Sequence, residues 1–263
     1  MIRSMIARAL PFLFLFAAPV YGQDKPARLT FEVASIKPSE PGGRGGAMKV
    51  LPGGQEFIAQ NFPLKLMIAR SHWVPPRQVS GGPDWMDSEL WDIQAKANRP
   101  GFTREQMIEM LGNLLEDEFK LRLRKDLREG PVYALTIDKS GLKMKVNGSP
   151  EDYEIPIQGG PDGVTIGKRV AMDRLCFTLG SFLQNNERPV IDKTGLTGFY
   201  DFTLSFLPEL PPEFDREKLP PEMLSRPSLF EAVRSQLGLK LESTKGPVEY
   251  YVVEHIEKPS GKL

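Results

Sequence analysis

The sequence predicts an α+β fold built from two pseudo-repeats, each a small mixed sheet with two helices packed on one face. Residues 58–67 (IAQNFPLKLM) resemble residues 166–175 (IGKRVAMDRL), which follow 108 positions later. Residues 91–93 (WDI) return as residues 200–202 (YDF) at an offset of 109. Similar segments in one order at a nearly constant offset indicate an internal duplication. Strand and helix patterns that alternate within each copy favour an α+β arrangement over separate sheets and bundles.

Both halves follow the same order of predicted elements. A first strand covers residues 56–60 and 164–168, a first helix covers 63–71 and 171–183, and an aromatic strand covers 90–97 and 199–206. A turn-rich crossover joins the first helix to the aromatic strand, and a second helix follows. Two strands around a Gly-Pro turn, at 130–131 and 246–247, complete each half. The outer strands near Phe31 and Tyr251 resemble each other, so we expect them to pair with the opposite repeat and join the halves.

The second helices carry the most specific local signals. Thr103 with Gln106, and Ser228 with Glu231, each have the spacing of a capping box at a helix start. An apolar stripe at helical spacing follows each box. The stripes consist of Met107, Leu111, Leu114, Leu115 and Phe119 in the first half, and of Leu229, Phe230, Val233 and Leu237 in the second. These patterns predict one amphipathic helix at equivalent positions of the two repeats.

The N-terminus has the pattern of a secretory signal peptide over residues 1–22. A basic start precedes a short apolar run at residues 9–20 (ALPFLFLFAAPV), and small residues precede Gln23. We therefore expect export to the periplasm or the cell exterior, with no transmembrane span after cleavage; a retained anchor is the alternative.

The mature chain divides into a first repeat at residues 23–146, a linker at 147–163 and a second repeat at 164–263. The second repeat contains a proline-rich stretch at 207–227, which disfavours a continuous helix or an inner strand. We interpret this stretch as a solvated extended loop, with a partner-binding arm as the alternative.

Composition excludes several function classes. Without Arg3 and Arg8, 32 basic residues face 34 acidic residues, a formal charge of −2, so the sequence predicts no nucleic-acid partner. Cys176 is the only cysteine and lies in an apolar stretch, which favours a place in the core. Two histidines and one cysteine do not furnish a structural zinc site. We therefore predict no metal site and no cofactor.

The sequence assigns no catalytic residue, because it has no nucleophile elbow, zinc-protease, P-loop or dinucleotide-binding motif. Residues 192–195 (DKTG) resemble the phosphorylated aspartate motif of cation-pumping ATPases, but the chain has neither the membrane spans nor the nucleotide domain of those pumps. We interpret this stretch as a turn that hydrogen-bonds to itself. Asp92 and Asp201 occupy equivalent strand positions, and their repetition predicts a shared structural hydrogen bond.

Candidate binding residues lie in the crossovers, since loops on a rigid scaffold often carry recognition groups. The first crossover supplies Trp73, Arg77, Trp85 and Asp87, and the second supplies Lys193. Structural packing is the alternative for each of them.

Our leading functional hypothesis is a non-enzymatic envelope module that binds a peptide, a glycan or a partner protein. One alternative is a carboxylate-dependent hydrolase or glycan-active enzyme that uses Asp84 and Asp87. Another is a sensor or inhibitor domain for an envelope peptidase.

Several long segments carry a family resemblance. They are FEVASIKPS from Phe31, VSGGPDWMDSELWDIQAKA from Val79, REGPVYALTIDKSGLKMK from Arg128, RPVIDKTGLTGFYDFTLSF from Arg188 and QLGLKLESTKGPVEYYVVEHIEKPS from Gln236. With these segments the chain resembles the soil-associated protein family, a domain of unknown function expanded in acidobacterial genomes. The resemblance implies an exported protein, in some members joined to a metallopeptidase similar to β-lactam sensors. It implies no catalytic residues.

Overall fold

The computed structural model describes residues 28–40, 45–149, 156–159, 164–183, 188–208 and 219–259. The predicted signal peptide lies outside the described residues, as do parts of the predicted linker and of the proline-rich loop. Within the described part of the linker, Ile157–Gly159 forms a strand, and within that of the loop, Pro221–Leu224 forms one helical turn.

The described residues form a mixed α+β protein, as predicted. The strands are β1 Val33–Pro38, β2 Ala47–Val50, β3 Glu56–Pro63, β4 Val79–Gly81, β5 Leu90–Lys96, β6 Arg122–Ile137, β7 Lys145–Val146, β8 Ile157–Gly159, β9 Val164–Ala171, β10 Val190–Asp192, β11 Phe199–Ser205 and β12 Leu239–His255. The helices are α1 Leu64–Ser71, α2 Trp85–Ser88, α3 Arg104–Glu118, α4 Met172–Phe182, α5 Pro221–Leu224 and α6 Leu229–Ala232, with a 3₁₀ turn at Pro76–Gln78 and a π-helical turn at Val233–Leu237. Within the described residues, we find no helix with the length and apolar character needed to cross a membrane.

Three four-stranded sheets form instead of one mixed sheet in each half. The first has the order β1-β5-β3-β2 and the third the order β7-β11-β9-β8, and both are antiparallel. The central sheet has the order β10-β6-β12-β4 and is the mixed one. The prediction of a mixed sheet within each half was therefore wrong, because the strands that follow the second helices pair with each other across the two halves.

The two predicted Gly-Pro turns are absent, and each Gly-Pro pair lies inside a long strand. Gly130 of β6 stands opposite Gly246 of β12 in a continuous antiparallel ladder. A partner strand from the other half hydrogen-bonds the backbone along this whole length, which a turn would interrupt. Pro131 and Pro247 have no backbone N–H to donate, and among the described strands each lies where its own strand has one neighbour only.

The predicted pairing of the outer strands is half correct. Tyr251 of β12 pairs with Val79 of β4, so the last strand does bond to the first half. Strand β1, which follows Phe31, instead pairs with β5 of its own half.

Both capping boxes and most of the predicted stripe residues are confirmed. Thr103 and Ser228 each accept a hydrogen bond from the backbone N–H three residues later, and the box side chains bond back. Helix α3 buries Met107, Leu111, Leu115 and Phe119 in the first core, whereas α6 and the π-helical turn bury Leu229, Val233 and Leu237 in the second. Phe230 was wrongly placed in the stripe: it is 37% exposed and its ring lies against Tyr133.

Asp92 and Asp201 form the shared hydrogen bond that their repetition predicted. Asn61 in β3 and Arg169 in β9 have positive φ angles of 49° and 52°. The backbone N–H of Asn61 donates to Asp92 Oδ1 at 3.0 Å, and that of Arg169 donates to Asp201 Oδ1 at 2.8 Å. In each half a strand carboxylate thus stabilises a left-handed residue in the neighbouring strand, a backbone conformation that is costly for residues other than glycine.

A buried carboxylate just after β6, Asp138, should make the free energy of unfolding depend on pH. Asp138 is 6% exposed, accepts from the Ser140 N–H at 3.0 Å and pairs with Arg234 Nε at 3.0 Å. The hydrogen bonds from Ser140, and then the charge of Arg234, lower the pKa of Asp138 to about 2.

We expect this stabilisation to be complete above about pH 4, the pKa range of an unfolded aspartate, and to disappear as the pH falls through 2. Urea unfolding of the wild type and of Asp138→Asn should therefore show a stability gap at pH 6 that closes between about pH 4 and pH 2. A gap that does not change with pH would contradict this assignment.

Candidate functional site

A groove of about 870 Å³ lies between the two halves of the chain. We call it the central groove. Its walls are formed by parts of residues 62–78 from the first half and of residues 173–183 and 188–192 from the second, and the central sheet contributes Leu127 and residues 247–249. Most of its lining is apolar, including Phe62, Leu66, Val74, Phe177, Val190 and Pro247. Its volume falls in the range of small-molecule and peptide side-chain pockets.

An aromatic and arginine cluster crosses the groove from one half to the other. The Trp73 and Phe177 rings meet edge to face at 5.4 Å, the guanidinium of Arg174 lies over the Trp73 ring, and that of Arg70 lies 5.9 Å from the Phe177 ring centroid. Trp73 follows His72, the C-cap residue of α1, and has a positive φ of 54°. Each half thus supplies one arginine and one aromatic ring, and cation–π contacts of this kind strengthen when they are shielded from water.

Arg174 is the most desolvated cation of the groove. Its side chain is 13% exposed, and its Nε lies 3.5 Å from Glu105 Oε1. Its Nε and Nη1 atoms are buried and have no hydrogen-bond acceptor among the described residues. Burial lowers the pKa of Arg174 to about 10, so it still carries its charge at neutral pH. Burial also lowers the pKa of Arg70.

The acidic groups of the groove already have donors. Glu249 pairs with Lys125 Nζ at 2.7 Å, Asp192 accepts from the N–H and the hydroxyl of Thr194, and Asp173 accepts from the Arg174 N–H. The side chains of Arg70 and Arg77 have no hydrogen bond and no ion pair with any part of the chain that the structure describes. The groove carboxylates therefore have hydrogen-bond donors within the chain, whereas the Arg70 and Arg77 side chains have no acceptor among the described residues.

One buried acceptor accompanies these donors. Gln78 is 4% exposed and donates its Nε2 to the carbonyl oxygen of Glu249 at 2.6 Å. Its Oε1 atom is buried without a donor among the described residues. Buried amide oxygens are nearly always bonded in folded proteins, so this residue of the groove lining lacks one hydrogen-bond donor.

The thiol of Cys176 and the imidazole of His72, which line the groove, pack as structural groups. Cys176 is 4% exposed, and burial raises the pKa of its thiol to about 12, in agreement with the predicted place in the core. His72 packs edge to face on Tyr251 with the ring centroids 4.2 Å apart, and burial lowers its pKa. In the described part of the chain, no group of three or more His, Cys, Asp or Glu side chains is placed to hold a metal ion.

The structure brings only part of the predicted binding set together. Trp73 and Arg77 line the central groove. Trp85 lies outside this lining and packs 6.2 Å from Trp91 and 6.5 Å from Phe119, measured between ring centroids.

The remaining predicted residues also lie outside the lining. Asp87 pairs with Lys65 at 2.9 Å, and Asp84 immediately precedes α2. Lys193 donates its backbone N–H to Leu135 and follows the lining residue Asp192. The first and second crossovers therefore do meet at one groove, but through fewer of the expected side chains.

Sequence reasoning missed the other members of the aromatic and arginine cluster and the buried acceptor: Arg70, Arg174, Phe177 and Gln78. Arg174 left one detectable signal, since it is the only cation within residues 172–183. Its contact with Trp73 links positions about a hundred residues apart, and no local pattern indicates such a contact.

A family model described as a protein of unknown function (DUF3738) matches residues 65–256. This match includes every lining residue of the central groove except Phe62. No curated protein and no solved structure matches the chain.

Proposed function

The chain belongs to the DUF3738 family of proteins of unknown function, and we propose that it is an exported, non-enzymatic binding module. Its ligand is an apolar segment of a peptide or partner protein, held in the central groove. The observation that carries this proposal is a groove of about 870 Å³ with mostly apolar walls supplied by both halves. Apolar pockets with a few well-placed polar groups are the usual sites of ligand binding.

The chemistry of the lining favours a peptide over a glycan. A sugar presents hydroxyl groups on all sides and needs many polar partners, because an unpaired buried hydroxyl costs free energy. The walls contain Val74, Phe177, Val190 and similar side chains, and the acids Asp192 and Glu249 are already engaged. An apolar peptide segment suits such walls, and its backbone supplies both donors and acceptors.

The N-terminal sequence supports the proposed export. Residues 1–22 combine a basic start, a short apolar run and small residues before Gln23. The resemblance to the soil-associated protein family also implies export. Mass spectrometry of the exported protein is expected to find Gln23 as the first residue, and a membrane-bound product that retains Met1 would contradict this.

We also propose that the two halves arose by duplication of one unit. The equivalent hydrogen bonds of Asp92 to Asn61 and of Asp201 to Arg169 support this origin, as do the two capping boxes. Superposition of residues 56–137 on residues 164–253 is expected to align these two pairs, and failure to align them would contradict a common origin.

Filling the groove should abolish binding without unfolding the protein. Ser181 is exposed, lines the groove and donates its hydroxyl to the Thr178 carbonyl at 2.7 Å. In Ser181→Trp, the indole would occupy the space intended for the ligand. The probe is a pool of fluorescein-labelled hexapeptides whose last three residues are drawn from Leu, Val, Ala and Phe. We expect Ser181→Trp to weaken pool binding, measured by fluorescence polarisation, by about tenfold or more, which corresponds to about 1.4 kcal/mol.

Ser225→Trp is the matched control. Ser225 is also exposed and also donates to the carbonyl three residues before it, that of Glu222 at 2.9 Å, but it lies outside the groove lining. Ser225→Trp should bind the peptide pool as tightly as the wild type does. Both variants should keep the melting temperature of the wild type. Equal binding by the wild type and Ser181→Trp would overturn the proposed function.

A further inference from the structure

We infer that the segment held in the central groove ends in a free carboxylate, so that the ligand is the C-terminus of an apolar peptide. This inference rests on the proposed function and specifies its ligand. It follows from the charged groups of the groove that have no partner, and from the chemical group that would complete them.

The first-half wall of the groove carries two arginines, Arg70 and Arg77. Arg70 lies in the last turn of α1 and extends toward Phe177 on the opposite wall, whereas Arg77 lies in the 3₁₀ turn that follows. Both residues are exposed to solvent in the unliganded protein, and neither side chain has an acceptor among the described residues. A neutral apolar ligand would cover these groups and leave desolvated charges without a partner, which opposes binding. A carboxylate would instead accept hydrogen bonds from them, and the planar guanidinium group matches its two oxygens.

The charged side chains that line the groove also affect which ligand it binds. Arg174 adds a third positive charge, which is desolvated and lies 3.5 Å from Glu105. With Arg188 the lining holds four arginines against three carboxylates, those of Asp173, Asp192 and Glu249, so its formal charge is +1. Charges act over longer distances next to apolar walls than in water, because the local dielectric constant is lower. A single negative charge on the ligand is therefore favoured over a neutral or positive end.

The Gln78 side chain distinguishes a peptide from other apolar acids. Gln78 belongs to the same lining as Arg77, and its buried Oε1 has no donor among the described residues, so a peptide N–H could bond to it once the amide turned toward the groove. The backbone of a peptide offers an N–H group close to its terminal carboxylate, whereas a fatty acid offers a carboxylate alone. The unpaired acceptor beside unpaired donors therefore fits a peptide C-terminus.

The test compares one set of peptides in two forms. The hexapeptide pool is prepared with a free C-terminal acid and, separately, with a C-terminal amide. We expect the wild type to bind the free acids about tenfold more tightly than the amides, as expected for charged hydrogen bonds. In Arg77→Gln this preference should fall to about twofold or less, and Arg77→Lys should restore part of it, because lysine keeps the charge without the fork geometry. The preference should also shrink as salt concentration rises.

Arg122→Gln is the matched control, since Arg122 is an exposed arginine of β6 outside the groove lining and should leave the preference unchanged. If the wild type binds acids and amides equally, and Ser181→Trp binds both forms more weakly, the carboxylate inference is overturned and the proposed function stands. Binding of neither form would overturn the proposed function itself. Tight binding of decanoate without binding of the peptide acids would show that the ligand is a free apolar acid, and would overturn the assignment to a peptide.

Discussion

Replacing Gly238 with alanine is expected to destabilise the protein by roughly 2–5 kcal/mol, the sum of a left-handed backbone penalty and a collision in the core. Gly238 follows the π-helical turn with a φ of 69° and precedes β12. A β-carbon at this position would collide with the carbonyl oxygen of Gly141 and lie 2.9 Å from the backbone nitrogen of Lys143. Neither neighbour is a flexible side-chain end, so the backbone itself would have to move.

Gly195→Ala isolates the left-handed backbone penalty from the collision. Gly195 has the same φ of 69°, but a β-carbon there would meet nothing within 4 Å. We expect Gly195→Ala to cost only the left-handed penalty, about 1–2 kcal/mol. Urea unfolding followed by circular dichroism measures both variants. Equal losses of stability would show that the loop around Gly141 yields to the added carbon, contrary to our expectation.

Phe119→Ala should remove about 3–5 kcal/mol of stability, the usual cost of truncating a fully buried aromatic residue. Phe119 is 0% exposed at the end of α3. Its ring lies 5.1 Å from that of Trp91 and 6.5 Å from that of Trp85. Alanine would leave a cavity beneath two indole rings, and because large rings repack poorly, most of that cavity should persist.

Phe230→Ala provides the comparison. Phe230 is 37% exposed, and its one ring contact within the described part of the chain is with Tyr133 at 5.4 Å. We expect its truncation to cost no more than about 1.5 kcal/mol, the range of a single aromatic pair. Tryptophan fluorescence during urea unfolding should follow both variants. A loss for Phe230→Ala as large as that for Phe119→Ala would mean that the sequence was right to place Phe230 in the core.

Helix starts and buried helical faces could be predicted because they depend on near neighbours. The capping boxes at Thr103 and Ser228 join residues three positions apart, and the stripe of α3 repeats within the same distance. The paired bonds of Asp92 and Asp201 could be predicted for a different reason. They repeat, and a repeated polar residue at one strand position indicates a repeated local structure.

The candidate site could be predicted only in part. Trp73 and Arg77 follow a helix in a turn-rich crossover, a place where loops often carry binding residues. Trp85 shows the same local pattern, yet it packs against Trp91 and Phe119. The difference is that Trp91 of β5 and Phe119, the residue after α3, lie against Trp85, and no pattern within the crossover indicates the contact with Phe119.

The sequence by itself determined the α+β class, the ends of the longer helices and the residues that most of them bury. These properties follow from backbone capping and from the 3.6-residue period, both of which act within a few residues. Tertiary structure alone decided the central sheet and the groove. The local sequence around Gly130 and Gly246 predicts turns, but a strand from the other half pairs with the backbone on both sides of each glycine. The contact of the Arg174 guanidinium with the Trp73 ring also joins segments from the two halves. Contacts between distant segments depend on which surfaces the two halves bury together, and that choice minimises unpaired backbone and exposed apolar area over the whole chain.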